Sequence, residues 1–243
     1  MIDWLMDSGN SRLKLACREP SGWQMIATLD YDDPALLDKC ALLMRDYPFQ
    51  RAFLASVSQG WRAERLDSLL TQIRQPVTRI ESMARLGRLR TAYEHPKQLG
   101  VDRFLALLAA SDFEQNTVLL SFGTALTLDV LTADGRHRGG LIAPSPDFQW
   151  QRMRDHFPGL FETPGRAQEL ADNTADALAT GIEQQLLGMV QRVMAQSFPG
   201  QSVTLRITGG GAEPWLRLMP KPSEYVPDLL FQGMLRYIEL SGL

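Results

Sequence analysis

Apolar and polar residues along the first thirty positions follow the pattern of short β-strands. The apolar segments 2–7 and 12–17 flank a small polar turn and together predict a β-hairpin, and a third strand is predicted at 23–28. The same arrangement returns in the middle of the chain, where 117–121 and 126–131 flank a second small polar turn. The pattern therefore predicts two related halves, each beginning with a hairpin.

The rest of the chain alternates between helical and strand-like patterns. Asp33 and Pro34 predict an N-cap and a first-turn proline for a helix that runs to about Tyr47. Apolar residues at helical spacing predict another helix over Val101–Ala110. The other predicted strands are 51–57, 77–80, 136–142 and 203–207, and the other predicted helices are 61–73, 173–196 and 229–240.

The second hairpin also indicates where the chain divides. A chain of 243 residues is long enough for one large domain or two small ones. The sequence contains no linker rich in Gly, Ser or charge, so we expect the boundary at 111–116, directly before the second hairpin. We predict α/β domains over 1–112 and 113–243, with a cleft between them.

The composition is that of an ordinary globular protein, with 44% hydrophobic and 22% charged residues. A net charge of −3 lacks the basic footprint of nucleic-acid binding. No apolar run approaches the roughly 20 residues needed to span a bilayer, and Asp3 and Asp7 interrupt any signal-peptide pattern. Cys17 and Cys40 are too few for a disulfide framework or a metal site. We therefore expect a cytoplasmic protein with neither nucleic acid nor membrane as a partner.

The first turn has the residues of a phosphate-binding loop. The run Ser8-Gly9-Asn10-Ser11 offers backbone N–H groups and small polar side chains that can surround anionic oxygens. Asp7, at the end of its strand, can hold a hydrated Mg²⁺ that bridges phosphates. Arg12 and Lys14 lie on one face of the following strand and can add positive charge. An ordinary hairpin turn is the alternative interpretation.

The second turn repeats the first without its acid. Gly123 aligns with Gly9, but Ser121 stands at the position of Asp7. A third glycine cluster, Thr208–Ala212, follows a predicted strand, where it permits a flat ligand or a phosphate to approach the backbone closely. A flexible loop is the alternative for this cluster. Together the three segments favour a nucleotide held between two halves.

A candidate for catalysis lies at the start of the predicted helix 101–110. Asp102 can accept a proton from an attacking hydroxyl, and Arg103 can bind a substrate carboxylate with two hydrogen bonds. Taken alone, Asp102 is more consistent with an acid that stabilises a helix N-terminus, and Arg103 with a surface charge. The residues around this pair are therefore needed to decide its role.

Six motifs in a fixed order supply that context. They are Asp7-Ser8-Gly9-Asn10-Ser11-x-x-Lys14, Tyr93-x-x-Pro96-x-x-Leu99-Gly100-Val101-Asp102-Arg103, Gly123-Thr124-Ala125-Leu126-Thr127-x-Asp129, Gly139-Gly140-x-Ile142-Ala143-Pro144, Asn173-Thr174-x-x-Ala177 and Thr208-Gly209-Gly210-Gly211-Ala212. Over nearly the whole chain these motifs resemble the type III pantothenate kinases, which catalyse the first step of coenzyme A synthesis.

The resemblance implies a fold, substrates and site residues. The fold would be α/β, with two ribonuclease-H-like lobes of the actin-like, acetate and sugar kinase superfamily and an ATP cleft between them. Asp102 would be the general base on the pantothenate hydroxyl, and Thr174 would reach pantothenate across a homodimer interface. The implied ATP-binding residues are Asp7, Ser8, Gly9, Asn10, Ser11, Arg12, Leu13, Lys14, Thr124, Gly209, Gly210 and Gly211. The implied substrate-binding residues are Tyr93, Gly100, Val101, Asp102, Arg103 and Thr174.

The chain departs from the family pattern in its second turn. Family members carry an aspartate at the position of Ser121, where it binds potassium or ammonium. A serine hydroxyl contributes one neutral oxygen ligand, so we expect a weak or absent monovalent-cation site here. Phe122 is also larger than the small residue expected beside it. In the first turn Ser11 replaces a threonine and keeps the hydroxyl.

The activity that we expect is ATP-dependent phosphorylation of pantothenate, with Mg²⁺ as the cofactor. A weakened homologue with a regulatory or accessory role is one alternative, and a nucleotide switch that hydrolyses ATP is another. Other conspicuous residues are expected to have ordinary structural roles. The basic positions Arg79, Arg85, Arg88 and Arg90 are expected on a solvated face, and His95, His137 and His156 lack metal-ligand spacing.

Overall fold

Two five-stranded sheets with the same strand order organise the protein. A computed structural model describes residues 2–20, 22–161 and 163–243, and within these ranges the chain forms twelve strands and six α-helices. The strands are β1 Asp3–Ser8, β2 Arg12–Glu19, β3 Gly22–Asp30, β4 Arg51–Ser56, β5 Val77–Arg79, β6 Arg85–Leu86, β7 Leu89–Arg90, β8 Thr117–Phe122, β9 Ala125–Leu131, β10 His137–Pro144, β11 Thr204–Thr208 and β12 Ser223–Tyr225. The helices are α1 Leu36–Asp46, α2 Trp61–Leu70, α3 Val101–Ala110, α4 Pro146–His156, α5 Thr174–Ser197 and α6 Leu229–Ser241.

The first sheet has the order β3-β2-β1-β4-β5. Strands β1, β2 and β3 form an antiparallel meander, whereas β4 and β5 run parallel to β1. Every residue of β1 is buried, because the strand lies in the middle of the sheet. Trp4 and Met6 on one face belong to a core that includes Leu36 of α1 and Leu66 of α2. Leu5 and Asp7 consequently point to the opposite face.

The second sheet has the equivalent order β10-β9-β8-β11-β12. Its first three strands are again antiparallel, and β11 and β12 again run parallel to the central strand β8. The core on one face joins Val118 and Leu120 of β8 to Leu186 and Val190 of α5. The two halves predicted from the repeated hairpin pattern are therefore confirmed as two sheets of one topology.

The contacts divide the chain into two compact units. The first unit runs to Ala109 and includes the last segment, Leu230–Leu243, and the second unit is Ala110–Leu229. This division differs from the predicted domains 1–112 and 113–243 at the C-terminus. Within the first unit, Gly233 of α6 lies so close to α3 that a Cβ would overlap the Leu105 carbonyl. The final helix therefore packs with the first unit.

Most predicted elements are confirmed, and α3 has the predicted bounds. The first helix begins at Leu36, three residues after the predicted cap, because Asp33 accepts a hydrogen bond from the N–H of Ala35 (2.8 Å) in a turn that precedes the helix. Helix α4, strand β12 and the β6–β7 hairpin were absent from the sequence prediction. None of the described helices is long and apolar enough to cross a membrane.

Candidate functional site

The first turn places an acid and a base opposite each other. Asp7 of β1 pairs with Lys14 of β2 across the hairpin, and Lys14 Nζ lies 4.0 Å from Asp7 Oδ2. The N–H of Gly9 donates to the carbonyl of Arg12 (3.1 Å) and closes the turn. Because side chains opposite each other in an antiparallel pair share a face, Asp7 and Lys14 meet on the face turned away from the Trp4–Met6 core.

Asp7 is a buried carboxyl whose negative charge is only partly balanced by nearby positive charge. Only 8% of the residue is exposed. Burial is the main reason that its pKa rises to about 7; Lys14 opposes this rise, and the negative charge of Asp102 adds to it. A divalent cation would supply the positive charge that this carboxylate lacks. Asp7 therefore fits a role in magnesium binding, in which one carboxylate, waters and phosphate oxygens together surround the ion.

Several predicted ATP-binding residues do not offer the groups that the sequence analysis expected. The Ser8 side chain is completely buried and contacts Tyr31, and the Leu13 side chain lies in the core. The Gly9 N–H is engaged within the turn, and Arg12 forms an exposed ion pair with Asp30 (2.8 Å). The prediction that the whole run exposes its N–H groups is therefore wrong at Gly9.

Asp102 lies in the first turn of α3, within the same unit as Asp7. Its Oδ1 accepts a hydrogen bond from the N–H of Arg103 (2.8 Å), which orients the carboxylate at the start of the helix. A Cβ on Gly100 would lie 2.5 Å from that same oxygen. Gly100 is therefore required for the position of the Asp102 carboxylate, which is an explanation that the sequence motif alone did not provide.

Arg103 and Tyr93 are in direct contact. Arg103 Nη1 donates to the Tyr93 hydroxyl (3.1 Å), and the guanidinium lies 5.8 Å from the centre of the Tyr93 ring. Arg103 is 7% exposed, so the solvated surface charge considered as an alternative is excluded. A nearly buried guanidinium fixed by a tyrosine is a suitable group for recognising a carboxylate.

The second turn is shorter and carries no charge. Ser121 of β8 pairs with Thr127 of β9, and the Gly123 N–H donates to the carbonyl of Ala125 (3.1 Å). Thr124 is thus the single residue at the apex, and it is exposed. The ring of Phe122 is buried in the core of the second unit. The exposure of Thr124 is compatible with the ATP contact that the resemblance implies.

Only one of the three glycines at 209–211 is required by the backbone. Gly209 has a φ of +96°, and a Cβ there would overlap the carbonyl of Phe122. No atom lies within 4 Å of a Cβ placed on Gly210, and a Cβ on Gly211 would make ordinary contacts. A single 3₁₀ turn, Glu213–Trp215, follows this segment. Gly209 therefore permits the segment after β11 to lie close to Phe122 at the end of β8.

The residues of the second turn do not fit a monovalent cation. Ser121 supplies one neutral oxygen, and the Phe122 carbonyl lies 3.5 Å from the N–H of Gly211. Asp129 shares the face of Ser121 on the neighbouring strand, but its carboxylate is bound to His137 Nε2 (2.9 Å). Across the described residues, no cluster of three or more His, Cys, Asp or Glu side chains could hold a metal ion.

Thr174 lies at the N-terminus of α5 and is exposed. Asn173 caps the helix by accepting from the Asp176 N–H (3.0 Å), and its amide donates back to the Asp176 carboxylate (2.9 Å). Helix α4, which the sequence did not predict, lies beside α5. A groove of about 730 Å³ lies between the two helices. Apolar side chains that line the groove are Phe148, Met153, Phe157, Leu178 and Ile182.

Solved structures with the same fold include proteins of quite different description. The chain is similar to a conserved Baf-family protein from Campylobacter jejuni, with a TM-score of 0.64, 21% identity and 98% of each chain covered. It is also similar to MreB 5 of Spiroplasma citri bound to AMPPNP, with a TM-score of 0.52, 10% identity and coverage of 100% and 99%. At these identities the likeness concerns the fold alone, and it confirms the predicted fold.

The sequence comparisons identify the family. A type III pantothenate kinase from Xanthomonas campestris pv. campestris (strain B100) is 37% identical over 238 residues, which cover 96% of each chain. The family model of the type III pantothenate kinases matches residues 4–196, which contain both hairpin turns, Asp102 and Arg103. The chain therefore belongs to the type III pantothenate kinase family.

Proposed function

We propose that this chain transfers the terminal phosphoryl group of ATP to the primary hydroxyl of pantothenate, forming 4'-phosphopantothenate at the start of coenzyme A biosynthesis. Family membership supports this activity. The observation that carries it is the arrangement in the first unit, where the charge of Asp102 acts on Asp7 and Arg103 is held by Tyr93. In this proposal Asp102 supplies a base, Asp7 supplies a carboxylate for Mg²⁺, and Arg103 supplies a group that binds a carboxylate.

Asp102 is the proposed general base. Its carboxylate is oriented by the Arg103 N–H, and it accepts the proton of the pantothenate hydroxyl as that oxygen attacks the phosphorus of ATP. Arg103 binds the pantothenate carboxylate, with Tyr93 holding the guanidinium in place. Positioning the hydroxyl is the larger part of the catalysis, because phosphoryl transfer requires little covalent chemistry from the protein.

Asp7 and Lys14 are assigned to the phosphates of ATP. Asp7 would hold Mg²⁺ through water, and the bound ion would neutralise charge on the phosphate oxygens. Lys14, across the hairpin, adds a positive charge next to that acid. The resemblance adds Thr124 and the segment Gly209–Gly211 of the second unit as further ATP contacts. We do not assign a monovalent cation, since the residues at Ser121 do not fit one.

A homodimer is part of the proposal. From the resemblance we infer that Thr174 contacts pantothenate of a partner copy, and the exposure of Thr174 at the start of α5 is compatible with that role. The apolar groove between α4 and α5 adds a surface that a second copy would cover. Light scattering of the purified protein measures the oligomeric state directly.

The activity is tested by incubating the purified protein with ATP and Mg²⁺, with and without pantothenate. We expect ADP to form only when pantothenate is present, together with a product heavier than pantothenate by one phosphoryl group in mass spectrometry. ADP formation without pantothenate would instead indicate a nucleotide switch. The absence of turnover under both conditions would contradict the kinase and leave the regulatory alternative.

A further inference from the structure

A cluster of four hydroxyl groups lies behind the first turn, on the face opposite Asp7. We call Ser8, Tyr31, Ser56 and Ser58 the hydroxyl cluster. Ser8 Oγ lies 2.5 Å from the Tyr31 hydroxyl, 3.0 Å from Ser58 Oγ and 3.3 Å from Ser56 Oγ, and the two other serines are 3.0 Å apart. Ser8 and Tyr31 are completely buried. The cluster joins the end of β1 to the residue after β3 and to the end of β4.

The protons of the hydroxyl cluster can be assigned because each hydroxyl has one. Ser8 donates to Ser58, and Ser56 donates to Ser8. Tyr31 then donates to Ser8, since the Ser8 proton is already used, and Ser58 is a hydrogen-bond partner of both Ser56 and Tyr31. Ser8 thus accepts two hydrogen bonds and donates one within the protein. Its hydroxyl has no proton left for a phosphate oxygen, so the side chain acts as an anchor.

The hydroxyl cluster holds the turn residue next to Asp7. Ser8 is the last residue of β1, between Asp7 and Gly9, and its carbonyl accepts from the Val57 N–H (3.0 Å). A Cβ on Gly100, which would overlap the Asp102 carboxylate, would also lie 3.8 Å from Val57 Cγ1. Tyr31 is thus a long side chain that reaches Ser8 from the residue after β3 and limits the movement of the turn. Burial raises the pKa of Tyr31, so its hydroxyl keeps its proton for this bond.

We propose that Tyr31 is a positioning residue for ATP, which acts through Ser8 to hold the phosphate turn and the adjacent Asp7 in place. Tyr31 itself lies on the face of the sheet away from the acid, and it needs no contact with either substrate. This inference rests on the proposed function for its kinetic test, and ATP binding provides a test that does not depend on pantothenate.

The test replaces Tyr31 by phenylalanine, which removes only the hydroxyl. Loss of one buried hydrogen bond is expected to lower kcat/KM for ATP about 5- to 10-fold and to weaken Mg-ATP binding in calorimetry by a similar factor. The KM for pantothenate is expected to stay within about 2-fold of the wild-type value. Tyr47→Phe is the matched control, because Tyr47 lies in the same unit and is 37% exposed.

A double-mutant cycle with Ser8→Ala tests whether Tyr31 acts through Ser8. If it does, Tyr31→Phe causes little further loss of ATP affinity in the Ser8→Ala background. Additive losses would overturn the proposed route. Wild-type ATP kinetics and binding in Tyr31→Phe, with only a lower melting temperature, would overturn the positioning role as well.

The role of Tyr31 can still be tested in two other cases: if Tyr31→Phe does not fold, and if the wild-type protein does not phosphorylate pantothenate. If Tyr31→Phe does not fold, Ser58→Ala removes another member of the hydroxyl cluster from a half-buried site and is expected to weaken Mg-ATP binding in the same direction. Unchanged binding in that variant would contradict the inference. If the wild-type protein does not phosphorylate pantothenate, the proposed function fails, and calorimetry with Mg-ATP still decides the role of Tyr31.

Discussion

The two hairpin turns occupy equivalent places in equivalent sheets but carry different chemistry. In the first unit Asp7 faces Lys14 across the hairpin, whereas in the second unit Ser121 faces Thr127. One turn thus has an acid and a base, and the other has two neutral hydroxyl residues. A strand arrangement can therefore be repeated while only one copy keeps an acid and a base opposite each other.

The segments that support the two turns differ as well. In the first unit, Ser56 at the end of β4 and Ser58 just after it contact Ser8 at the end of β1 through their hydroxyls. The equivalent segment after β11 uses Gly209, whose missing side chain lets the backbone lie against Phe122 at the end of β8. The first turn is therefore held by hydrogen bonds between side chains, and the second by close backbone packing.

The largest expected effect is the loss of turnover when the proposed base of the first unit is removed. Replacing Asp102 by Asn removes the proposed base but keeps the size of the side chain, so kcat should fall by about 10²- to 10⁴-fold. A coupled assay measures turnover, and thermal unfolding checks that the fold is retained. Asp147→Asn is the matched control, because Asp147 is an acid in the first turn of α4. Similar turnover in both variants would contradict the role of Asp102.

The second effect tests the glycine packing that distinguishes the second turn. Gly209→Ala is expected to destabilise the protein by about 1–3 kcal/mol, because of the positive φ and the overlap with Phe122. Gly210→Ala, one residue away in open space, should change the free energy of unfolding by less than about 0.5 kcal/mol. Urea unfolding measures both values. Equal effects at the two positions would show that the close approach to Phe122 is not required.

The third effect concerns the acid that only the first turn retains. Burial raises the pKa of Asp7 from 3.8 to about 7, so folding favours its neutral form. The contribution of Asp7 to the free energy of unfolding is fully present below about pH 4. It is lost as the pH rises through 7, by at most about 1.4 kcal/mol per pH unit. Asp7→Asn removes this dependence and should be the more stable protein above pH 7.

Unfolding is measured for both proteins from pH 4 to 8 without Mg²⁺ or ATP. A stability difference that stays constant over this range would mean that Asp7 is already charged in the folded protein. A difference that grows with pH would confirm that burial of the carboxyl dominates over the attraction of Lys14.

The smallest expected effect is on cation dependence. Replacing potassium by a large organic cation should change the wild-type rate little, because Ser121 brings no carboxylate to the second turn. Ser121→Asp restores the acid and should make the rate depend on potassium. A strict potassium requirement in the wild-type protein would show that other groups compensate for the missing charge.

The accuracy of the sequence prediction differed between regions for physical reasons. Helix α3 was predicted with its observed bounds, because Val101, Leu105 and Leu108 repeat at helical spacing. Helix α4 was missed even though Ser145 caps it and Pro146 begins it, since its residues are mostly polar and form no clear apolar stripe. The two strands of the β6–β7 hairpin have two residues each, too few for a periodic signal.

The contacts within the candidate site were predictable from the sequence only in part. The contact between Tyr93 and Arg103 joins two motifs that the resemblance had already selected. Tyr31 was not selected, because it lies 23 residues from Ser8 and belongs to no motif. The sequence also treated Gly209–Gly211 as one group, whereas only the first glycine has a conformation and surroundings that exclude a side chain.

The sequence by itself determined the alternation of strands and helices, the two turns, the loss of the acid at Ser121 and the family. These properties follow from local patterns and from the order of residue types along the chain. The tertiary structure decided that Asp7 is buried, that Ser8 is an anchor and that the final helix packs with the first unit. Burial and close contact depend on atoms contributed from distant parts of the chain, and no local pattern records them.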